Sequence, residues 1–264
     1  IVRNLFLLLI FLIVAVLVSL QFKTNLLITT LLFFGLPSIY LTLTFKNKKI
    51  IPRLLIAALL GSSMMAILMD YLAFLNQAWY VSDTIFSFRI FDLVPLEDPI
   101  WTFLWIYLIL VFYENSNTTG NKSTMGSRVK YWFLMNAVVF AAFFGTLFLN
   151  PNLLKQIPYY YLTFGILLVA APAVIFLKFY PRYILPFFKT AIYIIPVSFA
   201  HEIASLKLGH WYFPQGGKFV SMVRIFDVNF PLEELAFFIL MGPIFVLSYY
   251  EFFDGDKKAQ KRPV

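Results

Sequence analysis

Apolar residues fill this chain in long runs, and polar residues fall mainly in the short gaps between them. Runs of about 20 apolar residues match helices that cross a hydrocarbon core of roughly 30 Å. Lipid offers no partner for backbone polar groups, so an apolar run of that length is expected to be helical. The pattern predicts helices at about 4–20, 25–45, 51–76, 95–113, 130–149, 158–178, 183–207 and 231–252. The first run, Leu5 to Leu20, has the length and charge of either a signal sequence or a span. No small-residue cleavage site follows it, so it reads as a span. The expected fold class is therefore an all-α integral membrane protein with about eight transmembrane helices.

The gaps give an orientation. Arg3, Lys46, Lys48, Lys49, Arg53, Lys122, Arg128, Lys130, Lys178, Arg182, Lys257, Lys258, Lys261 and Arg262 fall on one side, 14 in all. Lys23, Arg89, Lys155, Lys207, Lys218 and Arg224 fall on the other, 6 in all, while Lys189 lies inside a span and is expected to snorkel outward. The positive-inside rule then puts both termini in the cytoplasm. The net charge of +8 is thus a topology signal, and no nucleic-acid partner is expected.

The second half repeats the first. RIFD occurs at Arg89–Asp92 and at Arg224–Asp227, Pro37 matches Pro172, and Trp79-Tyr80 matches Trp211-Tyr212. Asp70 lies nine residues before Trp79, as Glu202 lies nine before Trp211, and PLED at 95–98 matches PLEE at 231–234. The offsets stay between 132 and 136, which points to duplication. The expected organisation is two tandem parallel four-helix repeats at 1–114 and 130–252. A polar cytoplasmic linker at 115–129 joins them and a basic tail follows at 253–264. An even number of spans per unit gives both units the same orientation and a pseudo-twofold axis along the membrane normal.

Composition narrows the chemistry. At 264 residues, 61% hydrophobic and 20% aromatic, with a mean hydropathy of +0.82, the chain is far too apolar for a soluble domain. It has no cysteine, which excludes disulfides, iron–sulfur clusters and thiolate zinc. Two histidines cannot build a histidine-rich metal cage, and His201 and His210 read as polar packing residues. No Gly-x-Gly-x-x-Gly motif follows a strand, so neither a flavin nor a nicotinamide site is visible. No metal and no cofactor are expected.

The acids remain to be explained. Proline at a helix start followed by an acid is an ordinary helix N-terminus. Two acids in tandem, twice, exceed that need, and acids beside lipid are functional by default. Glu97 and Glu233 are the leading catalytic candidates, with Glu234, Asp98, Asp70 and Glu202 beside them. Asp92 and Asp227 read as partners of Arg89 and Arg224. Glu97, Trp101 and Trp105 stand at i, i+4, i+8 on one helix face, and Glu233 and Phe237 repeat that spacing. A carboxylic acid stacked over aromatic rings, which attract cations, suits carbocation chemistry. Trp79 and Trp211 read either as belt residues or as pocket walls, and the matched spacing to an acid favours the pocket.

At these residues the chain resembles the integral-membrane lycopene cyclase domain family. The shared pattern is an acid near a helix end, an aromatic cluster about nine residues on, then Pro-x-Glu-Glu before Phe-Phe. Glu202, Trp211-Tyr212, Pro231-Leu232-Glu233-Glu234 and Phe237-Phe238 carry it in the second half. Asp70, Trp79-Tyr80 and Pro95-Leu96-Glu97-Asp98 carry it in the first. Asp98 replaces the second glutamate in the first copy, Trp101 stands about where the family has its Phe pair, and Glu202 stands where Asp is usual. The resemblance covers about residues 25–252 and implies the fused tandem form. It implies a carotenoid cyclase, an isomerase that closes ionone rings on a lipid-soluble polyene such as lycopene without net redox change. It also implies that Trp79, Trp211, Trp101, Trp105, Phe237 and Phe238 line the substrate pocket. A fifty-carbon carotenoid is the alternative substrate. A magnesium-dependent prenyltransferase would need aspartate-rich motifs that are missing, and a membrane transporter or ligand-binding protein is the non-enzymatic alternative.

Overall fold

The computed structural model describes residues 2–82, 84–116, 128–155, 157–214 and 218–254. The expected linker and tail fall almost wholly outside these residues. The chain is 77% helical. Its helices are α1 (Val2–Phe22), α2 (Leu26–Thr44), α3 (Lys48–Leu75), α4 (Glu97–Ser116), α5 (Val129–Leu149), α6 (Tyr160–Phe179), α7 (Pro181–Leu208), α8 (Glu234–Leu240) and α9 (Gly242–Asp254). By length and composition, six of these can cross a membrane, or seven if α8 and α9, bent by 50°, form one broken span.

The expected count of eight differs because of α4. Glu97, Asp98 and Glu114 make its ends polar, and Trp and Tyr residues lower its hydropathy further. It is long enough at 20 residues, and 13 of them are buried. It packs against α2, α3, α7 and α9, so it is the central helix of the bundle. The outer helices show the reverse pattern. Phe6, Leu17, Leu167 and Ile192 are each more than 60% exposed, an apolar rim that suits lipid rather than water. Lys189 is exposed on the same rim.

Strands were not foreseen. Arg89–Ile90 (β2) pairs with Val94–Pro95 (β3), and Met222–Ile225 (β5) pairs with Val228–Pro231 (β6). The tips of both hairpins fall on RIFD. Phe91 and Asp92 have φ of 51° and 61°, and Phe226 and Asp227 have 49° and 64°. Tight hairpins need such left-handed residues, and aspartate tolerates them better than most. Arg224 pairs with Asp227 at 3.1 Å, while Arg89 donates to the Leu93 carbonyl at 2.9 Å.

Contacts between the halves come in reciprocal pairs. Tyr80–Val81 (β1) and Trp211–Tyr212 (β4) form an antiparallel bridge that sets Tyr80 opposite Tyr212. Their rings stack with centroids 5.8 Å apart. At the other end of the central helices, the Tyr113 hydroxyl donates to Glu251 at 2.8 Å and the Tyr250 hydroxyl to Glu114 at 2.7 Å. All four side chains are buried. Tyr113→Phe and Tyr250→Phe each remove one donor to a buried carboxylate. Each should lower stability by about 1–3 kcal/mol, and by similar amounts. Thermal unfolding in detergent measures this; one neutral and one damaging variant would refute the reciprocity.

Candidate functional site

Four stretches wind more loosely than an α-helix, with i→i+5 bonding: Leu31–Gly35, Ser63–Met69, Gly165–Ala170 and Glu234–Leu240. Such turns recur at functional sites. Here residues from three of them, Phe34, Met65, Met69, Glu234, Phe238 and Ile239, line one cavity of about 770 Å³. The remaining wall comes from α3, α4, α6, α7 and the β1–β4 bridge. Trp79, Trp101, Trp105 and Trp211, four of the five tryptophans in the chain, belong to it.

The acids divide in a way that adjacency in sequence hides. Glu97 and Glu233 do not line the cavity. The Ile85 and Phe86 amides donate to Glu97 Oε1 at 2.6 and 3.0 Å, and the Val220 amide donates to Glu233 Oε1 at 2.6 Å. Both carboxylates are buried and hold the loop that leads into each hairpin. The neighbouring acid points elsewhere because it stands about 100° round the helix. Glu234, Asp70 and Glu202 line the cavity. Asp98 lies behind them, near enough to Asp70 for the two charges to repel, with Arg89 and Glu97 also within electrostatic reach.

Each cavity acid has a distinct setting. Trp211 Nε1 donates to Glu202 at 3.1 Å, which is the use of the nine-residue spacing in the second half. Tyr161 and Glu202 both lie close enough to Glu234 to act on its carboxyl group electrostatically. Asp70 Oδ2 is buried without a hydrogen-bond partner among the described residues. Among the described residues, no lysine or arginine is in the cavity wall.

The aromatic placement follows in part from sequence. Trp101 and Trp105 stack with centroids 6.1 Å apart and 5° between planes, as their i, i+4 spacing implies. Trp105 Nε1 donates to Ser198 at 2.9 Å, and its ring approaches Gly242, where a Cβ would sit 2.8 Å from it. Trp79 and Trp211 pack edge to face at 5.7 Å. Phe238 faces the cavity and Phe237 does not. The looser winding from Glu234 turns Phe237 away from the expected face and onto Gly165, where the ring fills the space of a Cβ.

Comparison with protein-family models, curated proteins and solved structures returned no match of significance. The site therefore stands on its own geometry.

Sequence reasoning did not reach several members of the wall, His201, Tyr160 and Tyr161 among them. His201 is buried between the rings of Phe33, Phe34, Trp101 and Trp211. A stripe of Ser198, His201, Glu202 and Ser205 on α7, at i, i+3, i+4, i+7, was the available signal. Tyr160 and Tyr161 carried no such signal; Tyr160 donates to the Met69 carbonyl and Tyr161 meets Glu234. His210 lies outside the cavity wall and bonds through Nε2 to the Thr24 carbonyl at 2.8 Å. Among the described residues no three His, Asp or Glu side chains gather as a metal site.

Proposed function

We propose that this protein is a carotenoid cyclase that closes ionone rings on lycopene or a related polyene by proton-initiated carbocation chemistry. One observation carries the reading: a tryptophan-walled cavity among membrane-type helices gathers Asp70, Glu202 and Glu234 and, among the described residues, no lysine or arginine. Carboxylates sharing an apolar cavity repel, and keeping a proton on one of them relieves that repulsion. The retained proton is then available to an alkene, which binds there through apolar contact alone.

The steps balance without a redox partner. Asp70 transfers its proton to the terminal double bond, forming a C–H bond and a tertiary cation. The next trisubstituted double bond attacks that cation, forming the ring C–C bond and moving the charge into the ring. Loss of an adjacent proton to a carboxylate forms the new double bond, so the product is an isomer. Glu234 accepts that proton in this scheme. Glu202, oriented by Trp211, stands beside both acids, and the tryptophan faces stabilise the cation. Glu97 and Glu233, first candidates by sequence, act as loop tethers.

The same reading takes the chain as two tandem four-helix repeats with both termini cytoplasmic. The reciprocal Tyr–Glu pairs, the Tyr80–Tyr212 bridge and the matched hairpin tips support the repeat. The loop charges support the orientation.

Expression in a bacterium that accumulates lycopene tests the activity. The expected product keeps the mass of lycopene and shifts in absorbance and chromatographic retention. Lycopene left untouched by well-inserted protein, and a fifty-carbon precursor left untouched as well, would turn the reading to binding or transport.

A further inference from the structure

A second cavity, of about 560 Å³, lies next to the first. We propose that it holds the linear chain of the polyene while the end group occupies the acid-bearing cavity. This inference rests on the cyclase reading and adds how the substrate's length is recognised.

The two cavities share a wall. Met65 and Met69 line both. Both belong to the loosely wound stretch of α3, and methionine is the side chain best able to move aside for a thin ligand. The cavities also follow each other along the same helices. On α4, Trp101, Thr102 and Trp105 serve the first, then Ile106 and Leu110 the second. On α3, Ala73 and Asp70 serve the first, then Met64 and Gly61 the second. Ala73 to Gly61 spans about 18 Å at 1.5 Å per residue. The pair thus forms a slot along the helix axes, more than half as long as a hydrocarbon core of about 30 Å.

The chemistry of the second cavity selects its occupant. Among the described residues its wall has no acid and no base, and its polar side-chain groups are the hydroxyls of Tyr249 and Tyr250 and the indole N–H of Trp132. Gly61, Ile106, Leu110, Trp132, Met135 and Phe245 make most of the rest. Such a wall holds a ligand by dispersion and burial of apolar surface, with nothing to fix a head group. A long linear polyene fits both demands: a reactive end beside acids, and a narrow apolar tail. Glycine at 61 keeps the far end open, since a Cβ there would already stand 3.2 Å from Ile106.

The chain has no cysteine, so Met135→Cys introduces a single thiol into the second cavity. Its rate of reaction with methyl methanethiosulfonate would be followed in the full-length detergent-solubilised protein. Lycopene at about ten times its Kd should slow it by about tenfold, since occupancy of the site by mass action sets the fraction of thiol left exposed. A short diene with the same end group should leave it unchanged. No protection by lycopene, in a variant that still closes its rings, overturns the second-cavity assignment and leaves the cyclase reading standing. No protection and no ring closure overturns both. Protection by added phospholipid alone marks an acyl-chain site and also overturns the assignment. Gly61→Leu gives an independent readout, because it shortens the slot without touching the acid cavity. It should weaken lycopene's protection of the Met135→Cys thiol by about tenfold, and undiminished protection would contradict the slot.

Discussion

Asp70→Asn and Glu234→Gln should each slow ring closure by at least about a hundredfold, the usual contribution of a general acid or base. Glu97→Gln should slow it by no more than roughly threefold, since glutamine keeps an oxygen that accepts from the Ile85 and Phe86 amides. The contrast is sharpest between Glu233 and Glu234, which are neighbours in sequence. Glu233 holds the Val220 amide, whereas Glu234 lines the cavity. Glu97→Ala removes the acceptor altogether and should cost about 3 kcal/mol of stability, because two amides lose a charged partner. Rates on lycopene in detergent-solubilised protein, normalised to folded protein, measure the first three variants, and thermal unfolding measures Glu97→Ala. Full activity in both Asp70→Asn and Glu234→Gln would return the chemistry to Glu97 and Glu233.

Gly165→Ala should damage both fold and activity out of proportion to one methyl group. A Cβ at Gly165 would lie 2.1 Å from Phe237 Cδ2 and 2.4 Å from its Cγ. No alanine fits there unless the ring leaves. Overpacking of this kind costs about 1–3 kcal/mol. The larger effect is on position. Phe237 belongs to the same short helix as Glu234 and Phe238, and that helix packs on the Gly165–Ala170 stretch. Pushing the ring moves the acid, and a displacement of about 1 Å at a reacting group can cost on the order of a hundredfold in rate. Adding Phe237→Leu should restore much of the loss, since the smaller side chain makes room for the methyl. A Gly165→Ala protein with unchanged melting temperature and rate would show that this contact does not set the position of α8.

Much of the bundle was legible in the sequence because its cause is local. Apolar runs of bilayer length forced helices, whereas the hairpins whose tips fall on the repeated motifs at Arg89–Asp92 and Arg224–Asp227 left no strand signal of their own. The cavity acids and the tryptophans were all among the candidates. Their ranking was not legible. Which of Glu97 and Asp98 turns toward a loop depends on where the amides of Ile85 and Phe86 lie, and that is a tertiary fact. The loosely wound stretches leave no mark in hydropathy, so the rotation that separates Phe237 from Phe238 could not be anticipated. The central helix α4 misled in the opposite sense. Burial among other helices lets it carry acids, tryptophans and tyrosines that a lipid-facing span would avoid.

The central claim is that a proton from a cavity carboxyl starts the reaction. Acidic protons exchange with solvent, so ring closure on lycopene in heavy water tests it most directly. The account predicts one deuterium retained for each ring formed, seen as a matching mass increase in the product, with Asp70→Asn protein giving neither ring nor label. A ring-closed product that carries no deuterium would contradict it.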